Sequence, residues 1–423
     1  MAKAVTDPPP SSVSVAVTVT EDTTVSAGPP AKRRKVADLY REPSCHECLS
    51  SPLIPGLPDH IAHLCLSHLR PSTLFSVNRS WRRVISSPLY PPYLSLYTLL
   101  VPHAPDSHPP VLDACLPSNT TDVRFSSYDP VSSTWQSLPP PPSDLRLLLC
   151  HPSFLSRRFP IQSVSAASRL VLLAASTPDL FPALPRPLIF DPAVRTWSFG
   201  PAFSAPRRWC AAGSLGGSVY VASGISSQFS VDVARSLERW DLDAQGKGSC
   251  SRTRGWNQLN GLKDGRFCRD AIEAVGWKGR LCMVNVRGDA YKQGVVYNIQ
   301  ADTWNEMPEG MLKGWRGPVT AMDEETMYCI DERKGILRRY DEASDAWTLV
   351  TKNEVLIGAQ QMAAARGRVC AVCKGGEIAV VDVAYEGSSP SSGKAWVVEP
   401  PPGLQAVGVH ILPRMVNWDD VEI

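Results

Sequence analysis

The stretch "YDPVSSTWQSLP", residues 128–139, places an aspartate six positions before a tryptophan in a proline-rich, charge-poor setting. The same arrangement returns in "FDPAVRTWSFGP", "YNIQADTWNEMP" and "YDEASDAWTLV". Two looser copies, "RWDLDAQGKGSCSRTRGWNQL" and "VVDVAYEGSSPSSGKAWVVEPP", fit if the turn between their two halves is longer. The chain therefore carries six copies of one unit, in which the paired residues are Asp129 and Trp135, Asp191 and Trp197, Asp241 and Trp256, Asn298 and Trp304, Asp341 and Trp347, and Asp382 and Trp396.

Each unit predicts a β-hairpin. A short apolar run such as "RPLIF" or "GVVY" ends in Asp or Asn, which is typical of a strand that enters a turn. The Asx side chain can bond its own backbone two residues on, and the tryptophan then begins the returning strand. Two more strand-like runs precede the hairpin, for example "CAAGSL" and "SVYVASG" before Trp256. Four strands per unit predict the blade of a β-propeller.

The spacing of the tryptophans fits a known repeat. Trp135 and Trp396 lie 261 residues apart, so the five intervals average about 52 residues, close to the kelch period. At these positions the sequence resembles the kelch repeat, although the family's glycine pair after the second strand is kept only at Gly375 and Gly376. The resemblance implies an all-β, six-bladed kelch β-propeller. We expect each recurrent tryptophan to fill a seam between neighbouring blades.

The first blade is one strand short in sequence order. Only the runs "YLSLYTLLV" and "VRFSSYD" precede Trp135, whereas the C-terminal run "QAVGVHIL", residues 405–412, is apolar and rich in β-forming residues. We expect this run to complete blade one, because pairing the last strand with the first removes the open edges of the ring. The propeller would then span residues 93–423.

The composition excludes several classes of function. The chain has 423 residues, of which 43% are hydrophobic and 20% charged, with a net charge of +2. These values are ordinary for a soluble globular protein and give no global attraction to nucleic acid. No apolar run approaches the roughly 18 residues of a membrane span, and the 12 cysteines show no spaced framework. We therefore expect free thiols, and neither nucleic acid nor a membrane as a partner.

The sequence also lacks the pattern of an enzyme. The histidines of the predicted propeller are dispersed without paired ligand spacing, and the pair in "CHEC", residues 45–48, supplies too few ligands for zinc. There is no glycine-rich phosphate loop or nucleophile elbow. Carboxylates such as Asp323 and Glu324 are expected to be solvated loop charges. We expect a non-catalytic chain without metal or cofactor, and a metal-dependent propeller enzyme is the weaker alternative.

Residues 1–50 predict a disordered tail rich in Pro, Ser, Thr, Val and Ala. Its run "AKRRKV" holds four consecutive basic residues, Lys32, Arg33, Arg34 and Lys35. This run resembles a monopartite nuclear-import signal, whereas the simpler interpretation is a solvated run of charge. We expect the protein in the nucleus, with a share in the cytoplasm.

Residues 51–92 change to a helical period. Pro58 suits the first turn of one helix, which Pro71 ends. Its apolar positions at helical spacing are Leu57, Ile61, Leu64, Cys65 and Leu69. One apolar stripe predicts a second helix through Leu74, Val77, Trp81, Val84 and Ile85. A segment of about 40 residues has too little interior to be stable alone, so we expect the propeller or a partner to cover its apolar surface.

The order "LPDHI…LCLSHL…LFSVNRSWRRVISSP" resembles the F-box, the module by which substrate receptors dock on the Skp adaptor of cullin-RING (SCF) ubiquitin ligases. Together with the repeats, the chain resembles the plant F-box/kelch-repeat proteins of the Skp-interacting-partner type. The resemblance implies a substrate-recognition subunit that holds the adaptor with its F-box and an unknown target protein with its propeller. The implied adaptor-binding residues, each of which could instead hold the helices together, are Leu57, Pro58, Ile61, Leu64, Leu74, Val77 and Trp81. The alternative is a nuclear scaffold that recruits no ligase.

Aligning the six units by their tryptophans shows a second recurrence. An arginine stands beside an aromatic residue just ahead of the first strand in "RRF", "RRW" and "RF", and the order is reversed in "WR". Equivalent positions in successive blades lie at one end of the ring, so we expect a rim that favours an acidic segment of a target. The simpler interpretation is that each arginine holds a local turn. The rim candidates are Arg158, Phe159, Arg208, Trp209, Arg266, Phe267, Trp315 and Arg316.

Overall fold

A computed structural model describes most of the chain. The described residues are 52–67, 74, 77–86, 94–103, 123–130, 132–142, 147–148, 161–242, 255–268, 273–285, 292–383 and 394–415. The chain divides into Met1–Pro52 and Leu53–Ile423, and all elements given below belong to the second unit. The predicted tail and the import candidates at residues 32–35 lie outside the described residues.

Six four-stranded antiparallel sheets follow one another along the chain. The first three strands are β1 Leu94–Pro102, β2 Arg124–Asp129 and β3 Thr134–Ser137. Blade two consists of β4 Gln162–Ala166, β5 Arg169–Ala174, β6 Leu188–Asp191 and β7 Thr196–Phe199. The next strands are β8 Arg207–Arg208, β9 Ala211–Leu215, β10 Ser218–Ala222, β11 Ile225–Ser226, β12 Leu237–Asp241 and β13 Asn257–Leu259, of which β9, β10, β12 and β13 form blade three.

The remaining strands continue the pattern. Blade four consists of β14 Glu273–Trp277, β15 Arg280–Val284, β16 Gly294–Asn298 and β17 Thr303–Glu306. Blade five consists of β18 Val319–Met322, β19 Thr326–Asp331, β20 Ile336–Asp341 and β21 Ala346–Lys352. Blade six consists of β22 Gln361–Ala365, β23 Arg368–Val372, β24 Ile378–Asp382 and β25 Ala395–Val398, and the last strand is β26 Leu404–Pro413. The helices are α1 Asp59–Ser67, α2 Arg79–Ser86, α3 Val231–Arg235 and α4 Glu309–Gly314, with a 3-10 turn at Glu354–Leu356.

The predicted six-bladed propeller is confirmed. One edge strand of every sheet contributes to the wall of a common cavity of about 1040 Å³, and these inner strands are β4, β9, β14, β18, β22 and β26. Six separate apolar clusters fill the spaces between neighbouring sheets. The core is therefore distributed over the blade seams, as expected when each sheet must bury both faces against its neighbours.

The register of the outer hairpin explains the six-residue spacing. In blade one, Asp129 pairs with Thr134 and Tyr128 pairs with Trp135. Ser133 closes the turn with φ 57, a left-handed conformation that lets the strand return with the native twist. The Tyr128 and Trp135 rings then lie 5.3 Å apart. The same contact recurs in four further blades, between Phe190 and Trp197, Trp240 and Trp256, Tyr297 and Trp304, and Tyr340 and Trp347.

Five of the six recurrent tryptophans join their blade to the one before it. Trp197 Nε1 donates a 2.7 Å hydrogen bond to the carbonyl of Pro139, which follows the outer strand of blade one. Equivalent bonds run from Trp256 to Pro201, from Trp304 to Asn260, from Trp347 to Met311 and from Trp135 to Glu399. Each of these indoles thus buries part of its ring between two blades, while its Nε1–H, the single donor, bonds a carbonyl at the neighbouring blade.

The C-terminal strand closes the ring. β26 pairs with β1 from Leu94 opposite Pro413 to Pro102 opposite Leu404, so blade one has the order β26-β1-β2-β3. Arg414, directly after β26, forms an ion pair of 2.9 Å with Asp129 of β2. The ring is therefore held by backbone pairing between the two ends of the propeller sequence.

Side chains also tie β26 to both neighbouring inner strands. The buried His410 lies 2.8 Å from the hydroxyl of Ser163 and 3.1 Å from that of Ser165 in blade two. Burial lowers the pKa of His410 to about 4. On the other side, the Gln361 amide of blade six donates to Val409 O at 3.0 Å and accepts from Val409 N at 2.7 Å. The closing strand is thus clamped from both sides.

Candidate functional site

The helices before the propeller combine buried and exposed apolar residues. Ala62 and Leu66, one turn apart on α1, are 0% and 1% exposed. By contrast, Ile61 is 37% and Val77 50% exposed, and Pro58 directly before α1 is also exposed. Residues three or four apart on a helix lie on the same side, so Pro58 and Ile61 form an exposed apolar strip that borders the buried Ala62 and Leu66 face.

Trp81 connects the second helix to the chain ahead of the first. Its Nε1 donates a 2.7 Å hydrogen bond to Leu53 O, and the Leu53 amide donates to Asp59 Oδ1 at 3.1 Å. The indole is half-buried. Trp81 therefore contributes to the internal packing of the segment, and only part of its ring is accessible.

The second helix begins later than its apolar stripe suggests. Leu74 and Val77 have helical backbone, but Asn78 does not, and α2 begins at Arg79. Asn78 Oδ1 accepts the amide of Trp81 at 2.8 Å, which is the geometry of an N-cap. The continuous stripe through residues 74–85 is thus interrupted, because the Asn78 side chain competes with the helical backbone bond at this position.

The seven predicted adaptor-binding residues separate by exposure. Pro58, Ile61 and Val77 are exposed, as contact with a partner requires. Leu74 is 0% exposed and therefore not accessible to a partner in this structure. Leu57 is half-buried and forms an isolated backbone bridge with Ile54. Trp81 is half-buried and bonded to Leu53. The side chain of Leu64 lies outside the described residues.

Three of the predicted rim residues are buried. Phe267 and Trp315 are 1% and 0% exposed, and Arg208 is 7% exposed. Trp315 Nε1 donates to Glu273 Oε2 at 3.0 Å, so Trp315 fixes the entry to β14 and β18. The Phe267 and Trp315 rings are packed in the apolar clusters beside the inner strands.

The other rim candidates differ from one another. Arg266 pairs with Asp264 at 3.3 Å and with Glu306 at 3.4 Å, both on its own part of the ring. Trp209 and Arg316 are half-buried. Arg158 and Phe159 lie outside the described residues. Most of the exposed surface at the described rim positions therefore lies on Trp209, Arg266 and Arg316, and target binding by the rim stays a prediction.

One exposed aromatic residue at the same end of the ring escaped the sequence analysis. Phe229, in the connection between β10 and β12, is 70% exposed. This connection contains β11 and α3, and β11 pairs with β8 ahead of blade three. The repeat pattern gave no signal for it, because it lies outside the hairpin that recurs in each blade.

The described residues hold no group of three or more His, Cys, Asp or Glu side chains arranged to bind a metal ion. Within the same ranges all seven cysteines are free thiols. Burial raises the pKa of Cys282 and of Cys370 to about 12, so these two thiols stay protonated. None of the helices in the described part is long and apolar enough to span a membrane.

A two-helix module with an exposed apolar strip, placed ahead of a closed six-bladed ring, defines a propeller protein with an appended helical module. No family model matches the chain. It is 47% identical over 401 residues to the F-box/kelch-repeat protein SKIP25 of Arabidopsis thaliana, covering 93% of this chain and 95% of that protein.

Two further Arabidopsis thaliana proteins show weaker similarity. The F-box/kelch-repeat protein At1g22040 is 23% identical over 381 residues, 75% of this chain and 74% of that protein. The F-box protein AFR is 23% identical over 293 residues, 67% and 69% respectively. The chain belongs to the F-box/kelch-repeat family, which confirms the resemblance drawn from the repeats and the helical segment.

Proposed function

We propose that this chain is the substrate-recognition subunit of an SCF-type (Skp-cullin-F-box) E3 ubiquitin ligase. Its helical module binds a Skp-family adaptor and, through it, the cullin-RING ligase, while the propeller binds a target protein. Membership of the F-box/kelch-repeat family supports the assignment. The observation that carries it is the exposure of three apolar residues of the helical module, Pro58, Ile61 and Val77.

The proposed contribution of the chain is proximity. Holding a target lysine near the activated thioester of a conjugating enzyme raises its effective concentration without a catalytic residue in this chain. The separation of the two binding elements supports this division of labour, since the exposed strip precedes β1 and the ring of blades follows it. The chain would act as a receptor rather than as an enzyme.

Co-elution of the full chain with a plant Skp adaptor on a sizing column tests the proposal. We expect a stable complex with the wild type and none with the double variant Ile61→Asp and Val77→Asp, since both new carboxylates would be desolvated at the interface. Val194→Asp, at a 62% exposed position in the β6–β7 turn, is the matched control and should co-elute normally. Absence of any complex with folded wild-type protein would favour a nuclear scaffold.

We further propose that the basic run Lys32, Arg33, Arg34 and Lys35 directs the protein to the nucleus, with a share remaining in the cytoplasm. The support is compositional, since four adjacent cations follow a Pro-Pro pair. Replacing the four residues by alanine in a fluorescent fusion should move the signal to the cytoplasm. An unchanged nuclear signal would assign the run to a solvated charge cluster instead.

A further inference from the structure

A buried two-stranded ribbon with an exposed tip lies beside blade three, at the end of the ring where the rim candidates lie. β8 precedes the inner strand β9, and β11 follows β10. Ile225 pairs with Arg208 and Ser226 with Arg207. We call β8, β11 and the adjoining residues through Phe229 the blade-three ribbon. It joins Arg208 and Trp209 to the exposed Phe229 within one small structural element.

Two aromatic residues of the ribbon have left-handed backbone conformations. Trp209 has φ 56 and Phe229 has φ 54, which bulky side chains rarely adopt. Phe229 is also 70% exposed, so packing in the core gives no reason for its conformation. The backbone thus holds an aromatic side chain out into solvent.

The ribbon is anchored by a buried ion pair. Arg207 and Glu238 are 1% and 5% exposed, and Arg207 Nη2 lies 2.9 Å from Glu238 Oε1. Arg207 Nη1 also donates to Ser236 Oγ at 2.5 Å. The tip is fixed as well, since Phe229 N donates to Ser226 O at 3.1 Å. A tip held in this way is preorganised, so the ribbon loses little conformational entropy when a partner binds.

Arg208 lies on the opposite side of β8 from this ion pair, because adjacent residues of a strand point in opposite directions. Its guanidinium stacks over the Trp209 ring, with Cζ 4.3 Å from the centroid. Nε and Nη1 are shielded from solvent and find no hydrogen-bond acceptor among the described residues. Burial lowers the pKa of this guanidinium. A buried cation in this state is stabilised strongly by any carboxylate that reaches it.

The charges around the ribbon favour an acidic partner. Arg235, the last residue of α3, and Lys263 are exposed, and neither forms an ion pair with another described residue. The nearby acids are Asp232 on α3 and Asp264, of which Asp264 pairs with Arg266. With Arg208 included, the cations outnumber the acids, so the surface attracts carboxylates.

Blade two presents a related feature beside the ribbon. The β5–β6 and β10–β12 connections both join a second to a third strand, so they lie at the same end of the ring. Ser176 and Pro182 form a bridge that extends the β5–β6 connection as a hairpin. Phe181 there is 53% exposed, and the preceding Leu180 has φ 62. Consecutive blades thus each expose one phenylalanine from a constrained connection.

We propose that the blade-three ribbon is the anchor of the target-binding surface, and that it takes a segment of the target in which a carboxylate stands next to an aromatic or aliphatic side chain. The apolar side chain packs against Phe229, and the carboxylate pairs with Arg208 over the Trp209 ring. The identity of this partner as a ligase target rests on the proposed function. Binding of the segment itself does not require the adaptor.

Selection of a phage-displayed library of random linear peptides on the purified full chain tests the proposal. The expected winners combine Asp or Glu with Phe, Trp or Leu at adjacent positions. Phe229→Ser should weaken a selected peptide by about 30-fold, the loss typical of a hot-spot side chain. Phe199→Ser, at a 46% exposed phenylalanine on β7, is the matched control and should bind it normally.

Arg208→Met separates a binding role from a structural one. Because it removes a buried charge that lacks an acceptor, we expect the melting temperature to rise while the acidic peptides lose affinity. A lower melting temperature with intact binding would overturn the proposal, as would the absence of any enriched peptide or enrichment without acidic residues. Adaptor co-elution of the same variants should be unchanged, so failure of the ribbon and failure of the receptor assignment give different results.

Discussion

Trp135 Nε1 in the first blade donates a 2.9 Å hydrogen bond to the carbonyl of Glu399, which follows the outer strand of the last blade and lies 264 residues away in sequence. The bond from Trp197 to Pro139 has the same form but spans only 58 residues. The closing seam is therefore built from the same contact as four of the five seams between consecutive blades.

Removing this donor should weaken the ring by a modest, measurable amount. Trp135→Phe keeps most of the ring area but loses the bond, so we expect a loss of about 1 kcal/mol in the free energy of unfolding. Trp304→Phe, which loses the bond to Asn260, should cost a similar amount. Urea denaturation measures both. Stability equal to wild type in the two variants would show that the indole donors contribute nothing.

Deleting the closing strand should affect the whole propeller. A chain ending at residue 403 lacks β26, which exposes the edge of β1 and removes the His410 and Gln361 clamps. We expect a broad loss of cooperative unfolding and a lower melting temperature by calorimetry. A chain ending at residue 415 retains the strand and is the control. An unchanged melting temperature in the shorter chain would refute closure by β26.

The buried His410 makes stability depend on pH. Its folded-state pKa is about 4, below the usual 6.5, so the unfolded chain takes up the proton first as the pH falls. This contribution is complete above pH 6.5 and is lost progressively towards pH 4, by about 3 kcal/mol at most.

Urea denaturation at pH 7.5 and pH 5 tests this dependence. In His410→Gln the loss of stability between these two pH values should be smaller than in the wild type. An equal loss in both proteins would assign the pH dependence to other groups.

The buried pair of Arg207 and Glu238 should show strong coupling. Glu238→Gln leaves the Arg207 charge buried without its partner, so we expect a loss of about 3 to 5 kcal/mol in the free energy of unfolding. The double variant Arg207→Met and Glu238→Leu should recover most of this loss, since a hydrophobic pair of similar volume replaces two charges. A double variant as unstable as the single one would indicate that lost packing dominates.

The blade pattern was accessible from sequence because the outer hairpin is a local structure. Asp129 and Trp135 are six residues apart, and their spacing fixes the register, the left-handed turn residue and the aromatic contact together. Closure by residues 405–412 followed from counting strands. The first inference uses residues within one repeat unit, and the second uses the number of strands in each unit.

Long-range side-chain contacts were not accessible in the same way. Nothing in the sequence pairs His410 with Ser163, or Arg207 with Glu238, because these contacts depend on how neighbouring strands stack. The rim alignment found Arg208 and Trp209 but not their burial, and the repeat pattern gave no reason to single out Phe229. The interruption of the second helix at Asn78 had one sequence signal, namely that Asn is a common N-cap residue and lies within the apolar stripe.

The pairing of β26 with β1 also fixes an order of events during synthesis. The hydroxyl of Tyr97 donates to the carbonyl of Pro413, 316 residues later, so at ordinary ribosomal speeds roughly 15 to 60 s pass before the second partner exists. Throughout that interval the apolar strand β1 has an unpaired edge, which is a site for misassociation or chaperone binding. The helical module leaves the ribosome first, so it is available to a partner before the nascent chain has a completed ring.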